Sequence, residues 1–436
     1  MNPIAKQLNE IINDANPYIL EMLSSIGKNL FFPKGILQQS AEAKEKAHKI
    51  NATIGIAKEG KGIMHFPSVM SLLDGITPEE SLTYAPSYGI PALRKVWKES
   101  IFKKNPSIAN KQISLPVVTC GITNGISVFG DVWVDPGDSI ILPEMMWGNY
   151  NMILNVRRGA QIVNYPTFQD NKAFNVKAFE QVLKEQAKKS NKIIALLNFP
   201  HNPTGYTATE EESQNIANAI IDVAESGKNV IAVFDDSYFG LFYDEACAKE
   251  SVFSKVCGAH PRIVAIKLDG ATKESFVWGL RVGFITYGIN AKGDMAKVYD
   301  ALERKTAGDI RGNISNASHL SQSVILKSMQ NPNHASEFNQ KYSILKKRAL
   351  RVKEVLNNSK YNEAWSVYPF NSGYFMCIQL KTVDAETLRV HLLNNYGVGL
   401  IALGEKNIRV AFSCIEENEV EDLFDIILKG VEDLKK

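Results

Sequence analysis

The middle of the chain alternates short apolar runs with amphipathic stretches, and this alternation limits the possible folds more than any other feature of the sequence. Apolar runs of strand length are separated by stretches in which apolar residues recur at the helical spacing. The pattern predicts strands at 115–119, 139–142, 161–165, 192–198, 230–235, 262–268 and 282–287, and helices at 122–134, 176–189 and 209–226. It is typical of an α/β domain in which a mostly parallel sheet lies between helices. Functional side chains in such sheets gather where the strands end.

The two ends of the chain have other patterns. Residues 1–50 are polar and helical in pattern, and helices are predicted after the strand region at 291–305, 317–330 and 334–357. Short strands at 365–369, 374–380, 399–403 and 408–412 then mix with helices at 385–394 and 416–434. We therefore predict an N-terminal arm with part of a small domain at 1–70, a large domain at 71–333, and a small α/β domain at 334–436.

The composition is that of an ordinary globular protein. Of the 436 residues, 45% are hydrophobic and 22% are charged, and the net charge of +2 predicts no nucleic-acid or membrane partner. No run approaches the ~18 apolar residues of a membrane span, and no signal peptide is expected. The five cysteines are scattered without a close pair, which predicts a cytoplasmic protein and no metal site.

Lys273 is the first candidate for chemistry. It follows the strand predicted at 262–268, and a permanent ammonium so close to an apolar core is costly. A salt-bridged loop lysine and a functional lysine are both compatible with this position. Arg281 follows eight residues later between two glycines, and an arginine fork suits a phosphate. A lysine able to form a Schiff base, with an arginine for a phosphate, is the layout expected for pyridoxal 5'-phosphate.

Two adjacent aspartates end the strand predicted at 230–235. A buried carboxylate needs a cationic partner, and a protonated pyridine nitrogen would serve. Asp235 is favoured for that role because it continues the apolar strand inward, whereas Asp236 is free to cap the next segment. Tyr238, three residues after Asp235, would then reach the hydroxyl of the same ring.

Three further strand ends carry candidates for the same ligand. Asn202 lies in a turn after the strand at 192–198, where an asparagine can donate to an anionic ring oxygen, although the turn alone is unspecific. Trp147 can stack on a flat ring or belong to the core. The segment 119–125 joins a strand to a helix, and its amides and the Thr123 hydroxyl are suited to a phosphate.

Together these motifs resemble the fold-type-I, pyridoxal-phosphate-dependent aminotransferases, in particular the aspartate and aromatic amino acid branch. The motifs are His-Asn-Pro-Thr-Gly at 201–205, Asp-x-x-Tyr-x-Gly at 235–240, Lys273 with Arg281, and Arg409 in Ile-Arg-Val-Ala. The resemblance runs from about residue 51 to 412. It implies a large cofactor-binding domain with a smaller α/β domain. The implied reaction moves an amino group between an L-amino acid (aspartate or aromatic) and a 2-oxo acid such as 2-oxoglutarate.

The resemblance also implies roles for single residues. Lys273 would form the Schiff base and move the proton, and Asp235 would keep the ring nitrogen protonated. The other implied cofactor contacts are Tyr238 and Asn202 at the ring oxygen, Trp147 on the ring face, and Gly121, Ile122, Thr123 and Arg281 at the phosphate. The implied substrate contacts are Arg409 at the α-carboxylate, with Asn202 and Gly55 beside it.

Two residues imply a homodimer with shared active sites. Tyr84, in Tyr-Ala-Pro-Ser-Tyr-Gly, resembles a tyrosine that reaches the partner subunit's phosphate. Arg311, in Arg-Gly-Asn-Ile-Ser-Asn, resembles an arginine that binds the side-chain carboxylate of a dicarboxylic substrate across the dimer, although a surface arginine at a helix start fits as well. Three features depart from the family. Gly270 replaces a phosphate-binding serine, Tyr150 replaces a histidine behind the ring aspartate, and the first ~45 residues match no motif.

Other functions fit parts of the sequence. A lyase or decarboxylase that uses the same cofactor would need the same residues, since a fold does not determine the reaction. A cofactor-sensing regulator would need a DNA-binding domain, for which the N-terminal segment leaves little room. The stretch Gly55 to Gly62 differs from a Walker A loop at one position, because Gly62 stands where serine or threonine would hold magnesium.

Overall fold

The computed structural model describes residues 1–31, 35–170 and 172–435. Its N-terminal part is mainly helical, as the polar helical pattern predicts. The helices are α1 (Pro3–Ala15), α2 (Pro17–Met22), α3 (Ser25–Asn29), α4 (Ile36–Lys46), α5 (Pro67–Leu72), α6 (Pro78–Ser81) and α7 (Pro91–Lys104). Strand β1 (Ile50–Asn51) and a hairpin of β2 (Lys58–Glu59) and β3 (Gly62–Ile63) lie between α4 and α5. The glycine-rich stretch 55–62 thus forms a hairpin and lacks the strand–loop–helix arrangement of a Walker A site.

A seven-stranded sheet forms the centre of the chain. Its strands are β4 (Val117–Cys120), β5 (Ser139–Pro143), β6 (Gln161–Tyr165), β9 (Lys192–Asn198), β10 (Asn229–Asp235), β11 (Ile263–Asp269) and β12 (Val282–Ile289), and a short hairpin of β7 (Phe168–Gln169) and β8 (Ala173–Phe174) follows β6. The strand order is β4-β12-β11-β10-β9-β5-β6. Only β12 runs antiparallel to its neighbours. All seven predicted strands are present, and the prediction of a mostly parallel sheet is confirmed.

Helices cover both faces of this sheet and create two apolar cores. The helices between the strands are α8 (Gly121–Trp133), α9 (Val176–Lys189), α10 (Glu210–Glu225), α11 (Val252–Val256) and the short α12 (Ala271–Glu274). Successive strand residues face opposite sides, so that Ala232 and Phe234 of β10 pack in one core and Ile231 and Val233 in the other. The same alternation places the side chains of Asp235 and Asp236 on opposite faces of the sheet.

A smaller four-stranded antiparallel sheet lies in the C-terminal part. It follows helices α13 (Met295–Asn313), α14 (His319–Gln330) and α15 (His334–Leu356). Its strands are β13 (Trp365–Val367), β14 (Phe375–Leu380), β16 (Ile401–Leu403) and β17 (Asn407–Ala411), flanked by α16 (Ala385–Tyr396) and α17 (Val420–Leu434). Strand β1 pairs in parallel with β15 (Val398–Gly399), which joins the N-terminal segment to this region. The domain boundaries at 70 and 333 stay a prediction.

Two predicted boundaries are wrong for identifiable reasons. Strand β4, the first strand of the large sheet, begins at Val117 rather than at Leu115, because Pro116 has no backbone N–H to donate to the sheet. Helix α13 continues to Asn313 instead of ending at residue 305, because Ala307 and Ile310 extend its buried stripe despite the local glycines. Arg311 therefore lies in the last turn of a helix and not between two helices. Within the described ranges, no helix is long and apolar enough to cross a bilayer.

Candidate active site

The strand order brings the predicted site residues together at one end of the large sheet, where the parallel strands finish. Strands β4, β5, β9, β10 and β11 all finish at this end, and the antiparallel β12 begins there. A cavity of about 330 Å³ opens at this end. The predicted residues that line it are Gly55, Ile122, Thr123, Trp147, Asn202, Asp235, Tyr238, Lys273, Arg281 and Arg409. Gly121 lies directly beneath the lining, at the start of α8.

Lys273 lies in α12, directly after β11, and its half-buried side chain enters the cavity. Its Nζ is 4.9 Å from the centroid of the Tyr238 ring. Burial lowers the pKa of Lys273 to about 8; the negative charge of Asp235 opposes that shift, and the positive charge of Arg281 adds to it. Roughly a tenth of this amine is therefore unprotonated and nucleophilic at pH 7, far more than for an ordinary lysine. Lys273 forms no salt bridge with any described residue, which contradicts the alternative of a loop lysine held by a salt bridge.

Asp235 is buried and held in one orientation by three donors. Its Oδ1 accepts from the Ser237 N–H at 3.1 Å and from the Ser237 hydroxyl at 2.5 Å, and its Oδ2 accepts from the Tyr150 hydroxyl at 2.5 Å. Burial and the adjacent carboxylate raise the pKa of Tyr150 well above its ordinary value, so the phenol remains a donor. Tyr150, at the position where the family resemblance implies a histidine, therefore contacts the aspartate. Asp236 lies outside the cavity and pairs with Lys267.

One end of the cavity is built for a phosphate. Thr123 and Ile122 lie in the first turn of the 13-residue helix α8, where free N–H groups and the helix dipole favour an anion. Arg281 has a left-handed backbone conformation, with φ of 54°, immediately before β12. Gly121 also has a positive φ, of 74°, and a Cβ on it would collide with the Arg281 guanidinium. The close packing of these two residues thus depends on glycine at position 121.

Gly270 has no hydroxyl at the position where the family resemblance implies a phosphate-binding serine. A Cβ at this position would lie 2.7 Å from the Val282 carbonyl oxygen and 3.0 Å from the Gly283 Cα, so the backbone leaves no room for a side chain. Thr272 offers a different hydroxyl in the same turn. It is buried, lines the cavity, and its Oγ1 has no hydrogen-bond partner among the described residues. Thr272 was not among the residues predicted from the sequence, although its position next to Lys273 is a signal that could have indicated it.

Arg409 enters the cavity from the smaller sheet. It is almost fully buried in β17 and donates to the Thr53 carbonyl at 2.8 Å and to Asn202 Oδ1 at 3.1 Å. Its Nε has no partner, and no carboxylate pairs with it, among the residues that the structure describes. A buried guanidinium without a counter-ion is costly, and a carboxylate ligand would remove that cost. Because a guanidinium only donates, it holds the Asn202 oxygen and leaves the amide NH₂ free for a ligand oxygen.

Apolar side chains complete the cavity, and several of them were not predicted. Phe375 packs under Arg409, with the guanidinium carbon 4.2 Å from the ring centroid. Trp278 and Ile56 also line the cavity, and Ile36 reaches it from the first turn of α4. Ile36 belongs to the segment that matched no motif, and no sequence signal placed it here. A Cβ on Gly55 would lie 3.2 Å from the Phe375 ring, so the glycine leaves space in the cavity beside Phe375.

Two predicted site residues lie away from the cavity of the single chain. Tyr84 is 88% exposed. Arg311 is also exposed, and its Nη1 donates to the Ser315 hydroxyl at 2.6 Å. Their proposed action across a dimer is not tested by one chain. Among the described residues, no group of three His, Cys, Asp or Glu side chains could hold a metal ion.

The residues present fit pyridoxal 5'-phosphate. The fit rests on a nucleophilic lysine, a buried carboxylate for a ring nitrogen, a helix N-terminus with an arginine for a phosphate, and the unpartnered Thr272 hydroxyl. The fold and the site therefore define a fold-type-I enzyme that depends on this cofactor.

The comparisons with known proteins agree with that class. Residues 47–427 match the family aminotransferase class I and II, so the chain belongs to this family and is a pyridoxal-phosphate-dependent transaminase. It is similar to an aspartate aminotransferase of Bacillus sp. (strain YM-2), with 26% identity over 63% of this chain and 67% of the relative. It is also similar to a probable N-acetyl-LL-diaminopimelate aminotransferase of Bacillus subtilis (strain 168), with 26% identity over 77% and 78%.

A solved structure shows the same fold along nearly the whole chain. The crystal structure of an aminotransferase from Anaerococcus prevotii DSM 20548 superposes with a TM-score of 0.82 and 23% identity, and the match covers 94% of this chain and 98% of that one. The predicted family and fold class are confirmed, and the family favours a transaminase over a lyase or decarboxylase.

Proposed function

We propose that the chain transfers the amino group of an aspartate-type or aromatic L-amino acid to a 2-oxo acid such as 2-oxoglutarate, at the cavity around Lys273. The observation that supports this proposal is the pairing of two groups in one cavity. Lys273 supplies an amine whose pKa is about 8, and the buried Arg409 supplies a cation that lacks a carboxylate. In an amino acid or a 2-oxo acid, the carbon that reacts is bonded directly to the carboxylate carbon. One substrate can therefore present its reacting carbon to Lys273 and its carboxylate to Arg409.

The proposed roles follow from the contacts of each group. The cofactor, when bound, withdraws electrons from the carbon that carries the amino group. Asp235, fixed by Tyr150 and Ser237, keeps the ring nitrogen protonated. Arg409 binds the α-carboxylate, and the NH₂ group of Asn202 donates to the ring oxygen together with Tyr238. Trp147 covers the ring face.

Lys273 acts twice in this proposal. It holds the cofactor between reactions, and once the substrate amine has displaced it, its free Nζ moves a proton at the substrate carbon. An amine with a pKa of about 8 is suited to this step, because both its protonated and unprotonated forms are populated near neutral pH. Tyr374 donates to the Lys273 carbonyl oxygen at 3.3 Å and so links the lysine turn to the smaller sheet.

The substrate class depends on a second subunit. In the single chain, the cavity wall near Ile36, Ile56 and Trp278 is apolar, which suits an aromatic side chain. A side-chain carboxylate would need a further cation, and we propose that the partner's Arg311 provides it in a homodimer. The exposure of Tyr84 (88%) and Leu82 (83%) supports an interface on this side of the chain.

We also propose a division of the chain into domains at 1–70, 71–333 and 334–436, and a cytoplasmic location.

Borohydride trapping tests the central claim. The purified enzyme is expected to be yellow, and reduction should fix the cofactor on a peptide that contains Lys273. Lys273→Ala should abolish transamination because both the covalent link and the proton carrier are lost. A matched control is Lys341→Ala, which removes a buried lysine that pairs with Glu59 and does not line the cavity. Wild-type turnover by the Lys273→Ala enzyme would refute the proposal.

A panel of amino donors against 2-oxoglutarate then identifies the substrate. We expect activity with aspartate and with an aromatic amino acid such as tyrosine. Release of carbon dioxide, or of an unsaturated product, in place of the 2-oxo acid of the donor would identify a decarboxylase or a lyase and contradict the proposal.

A further inference from the structure

A buried ionic cluster lies on the opposite face of the sheet from Asp235. Lys267, on β11, is 2% exposed. It forms ion pairs with two buried carboxylates, Asp236 and Asp269, with a distance of 3.5 Å to Asp269. Its Nζ also lies 4.8 Å from the centroid of the Phe239 ring. The reaction described above uses none of these three charged residues.

The cluster continues into the helices that cover this face. Asp269 Oδ1 accepts from the Trp97 indole N–H at 3.0 Å, and Trp97 stacks on Phe284 with ring centroids 4.0 Å apart. Glu274 is buried at the end of the same turn and pairs with Lys104, whose Nζ lies 5.2 Å from the Trp97 ring centroid. Lys104 is the last residue of α7, so the Lys104–Glu274 pair and the Trp97–Asp269 hydrogen bond both join α7 to the turn that carries Lys273.

Each carboxylate of the cluster is close in sequence to a residue of the proposed reaction. Asp236 directly follows Asp235, Asp269 begins the turn that leads to Lys273, and Glu274 directly follows Lys273. The backbone N–H of Asp236 also donates to the Leu268 carbonyl at 2.8 Å, which extends the pairing of β10 and β11 to this point. One ammonium group thus joins the end of the strand that carries Asp235 to the end of the strand that leads to Lys273.

We infer that Lys267 is a positioning residue for transamination, which holds the Asp235 strand end and the Lys273 turn at a fixed separation through Asp236 and Asp269. This inference rests on the proposed roles of Asp235 and Lys273. The ammonium satisfies two buried carboxylates, so a change in the separation of the strand ends would break an ion pair in a region without solvent. Both the cofactor ring and the proton carrier depend on that separation.

The test compares Lys267→Met with Glu303→Gln. Glu303 belongs to another buried ion pair, with Arg94 at 2.7 Å. It also accepts from the Leu115 N–H, just before β4 begins, and so lies at the end of the sheet opposite to the cavity. Both variants are expected to lower the melting temperature. Only Lys267→Met should also lower kcat, by roughly 10- to 100-fold as expected for a misplaced reacting group. Its KM for the amino donor should stay within about threefold, because Arg409 binds the donor from the other sheet.

A spectroscopic measurement separates position from stability. The induced circular dichroism of the cofactor's visible band reports the orientation of the bound ring, and it should change in Lys267→Met and stay as in the wild type in Glu303→Gln. An unchanged band and kcat in Lys267→Met, or equal changes in both variants, would overturn the inference. If the wild-type enzyme formed no such band, the proposed function itself would fail, so the two failures are distinguishable.

A second variant covers the case in which Lys267→Met does not fold. The triple variant Lys267→Met, Asp236→Asn, Asp269→Asn leaves no uncompensated charge, and neutral replacements of buried ion triads are commonly tolerated. It should show the same altered band and reduced kcat. Wild-type values would overturn the inference, and so would failure of this variant to fold, because the cluster would then be needed for the fold rather than for the site.

Discussion

Replacement of Thr272 by valine separates the binding of the cofactor from the stability of the protein. Valine keeps the shape of threonine and removes only the hydroxyl, which is buried and has no partner among the described residues. Loss of such a group is neutral or favourable in the cofactor-free protein. If the hydroxyl donates to the phosphate, a charge-assisted hydrogen bond worth roughly 1.5–3 kcal/mol is lost from the complex, which corresponds to an increase in Kd of about 10- to 100-fold.

Thr286→Val is the matched control. The hydroxyl of Thr286 is also buried without a partner among the described residues, but this residue lies within β12 and does not line the cavity. Fluorescence titration with pyridoxal 5'-phosphate should show the increase in Kd for Thr272→Val and no change for Thr286→Val. The melting temperature without cofactor should be unchanged or higher for both variants.

The gain in stability on binding provides a second measurement. Ligand stabilisation follows the ratio of free cofactor to Kd, so a 100-fold weaker Kd removes about 2.7 kcal/mol at saturating cofactor. Thr272→Val should therefore lose part of the rise in melting temperature that cofactor gives the wild type. The assignment of Thr272 to the phosphate is refuted if Thr272→Val binds the cofactor as tightly as the Thr286→Val control.

Other predictions address the remaining parts of the site. Asp235→Ala should lower kcat by several orders of magnitude and Asp236→Ala far less, because only Asp235 lines the cavity, and a reversed order in steady-state assays would contradict the assignment. The rate at which cofactor-free enzyme reacts with pyridoxal should rise with pH and level off above about 8, because the pKa of Lys273 is about 8 and only its unprotonated amine reacts; a rate independent of pH would argue against this. Arg311→Leu should lower kcat/KM for dicarboxylates by about 10- to 100-fold and spare monocarboxylate donors, whereas equal losses for aspartate and tyrosine would make Arg311 structural. Mixed subunits of Lys273→Ala and an inactive Tyr84 variant should regain activity, and an active monomer on dilution would exclude shared sites.

The sheet and most of the cavity were predictable because their signals are local. Apolar runs and helical periods identify the strands, and parallel strands necessarily finish together at one end of the sheet. Asp235, Tyr238 and Lys273 each follow such a strand, so their convergence follows from the topology alone. Arg281 reaches the same end because β12 is antiparallel and begins where its neighbours finish.

Other features depend on contacts between distant segments and had no local signal. Ile36 reaches the cavity because Gln39 of the same helix exchanges hydrogen bonds with the backbone of Ala402. The absence of a side chain at Gly270 is explained by the Val282 carbonyl, which lies on another strand. The pairing of Lys267 with Asp236 was also not anticipated, because a lysine within an apolar strand gives no indication of its partner.

The junction of α4 and β1 with the smaller sheet has a consequence for synthesis on the ribosome. Gln39 bonds to Ala402, 363 residues further along the chain, and β1 pairs with β15. The strands of the large sheet lie between these partners in sequence, so they can assemble while the N-terminal segment still lacks its docking surface. Until the last part of the chain has emerged, the apolar side chains of that segment remain exposed to chaperones and to aggregation. We therefore expect stalled nascent chains that stop before residue 398 to contain a protease-sensitive N-terminal segment ahead of a protected core.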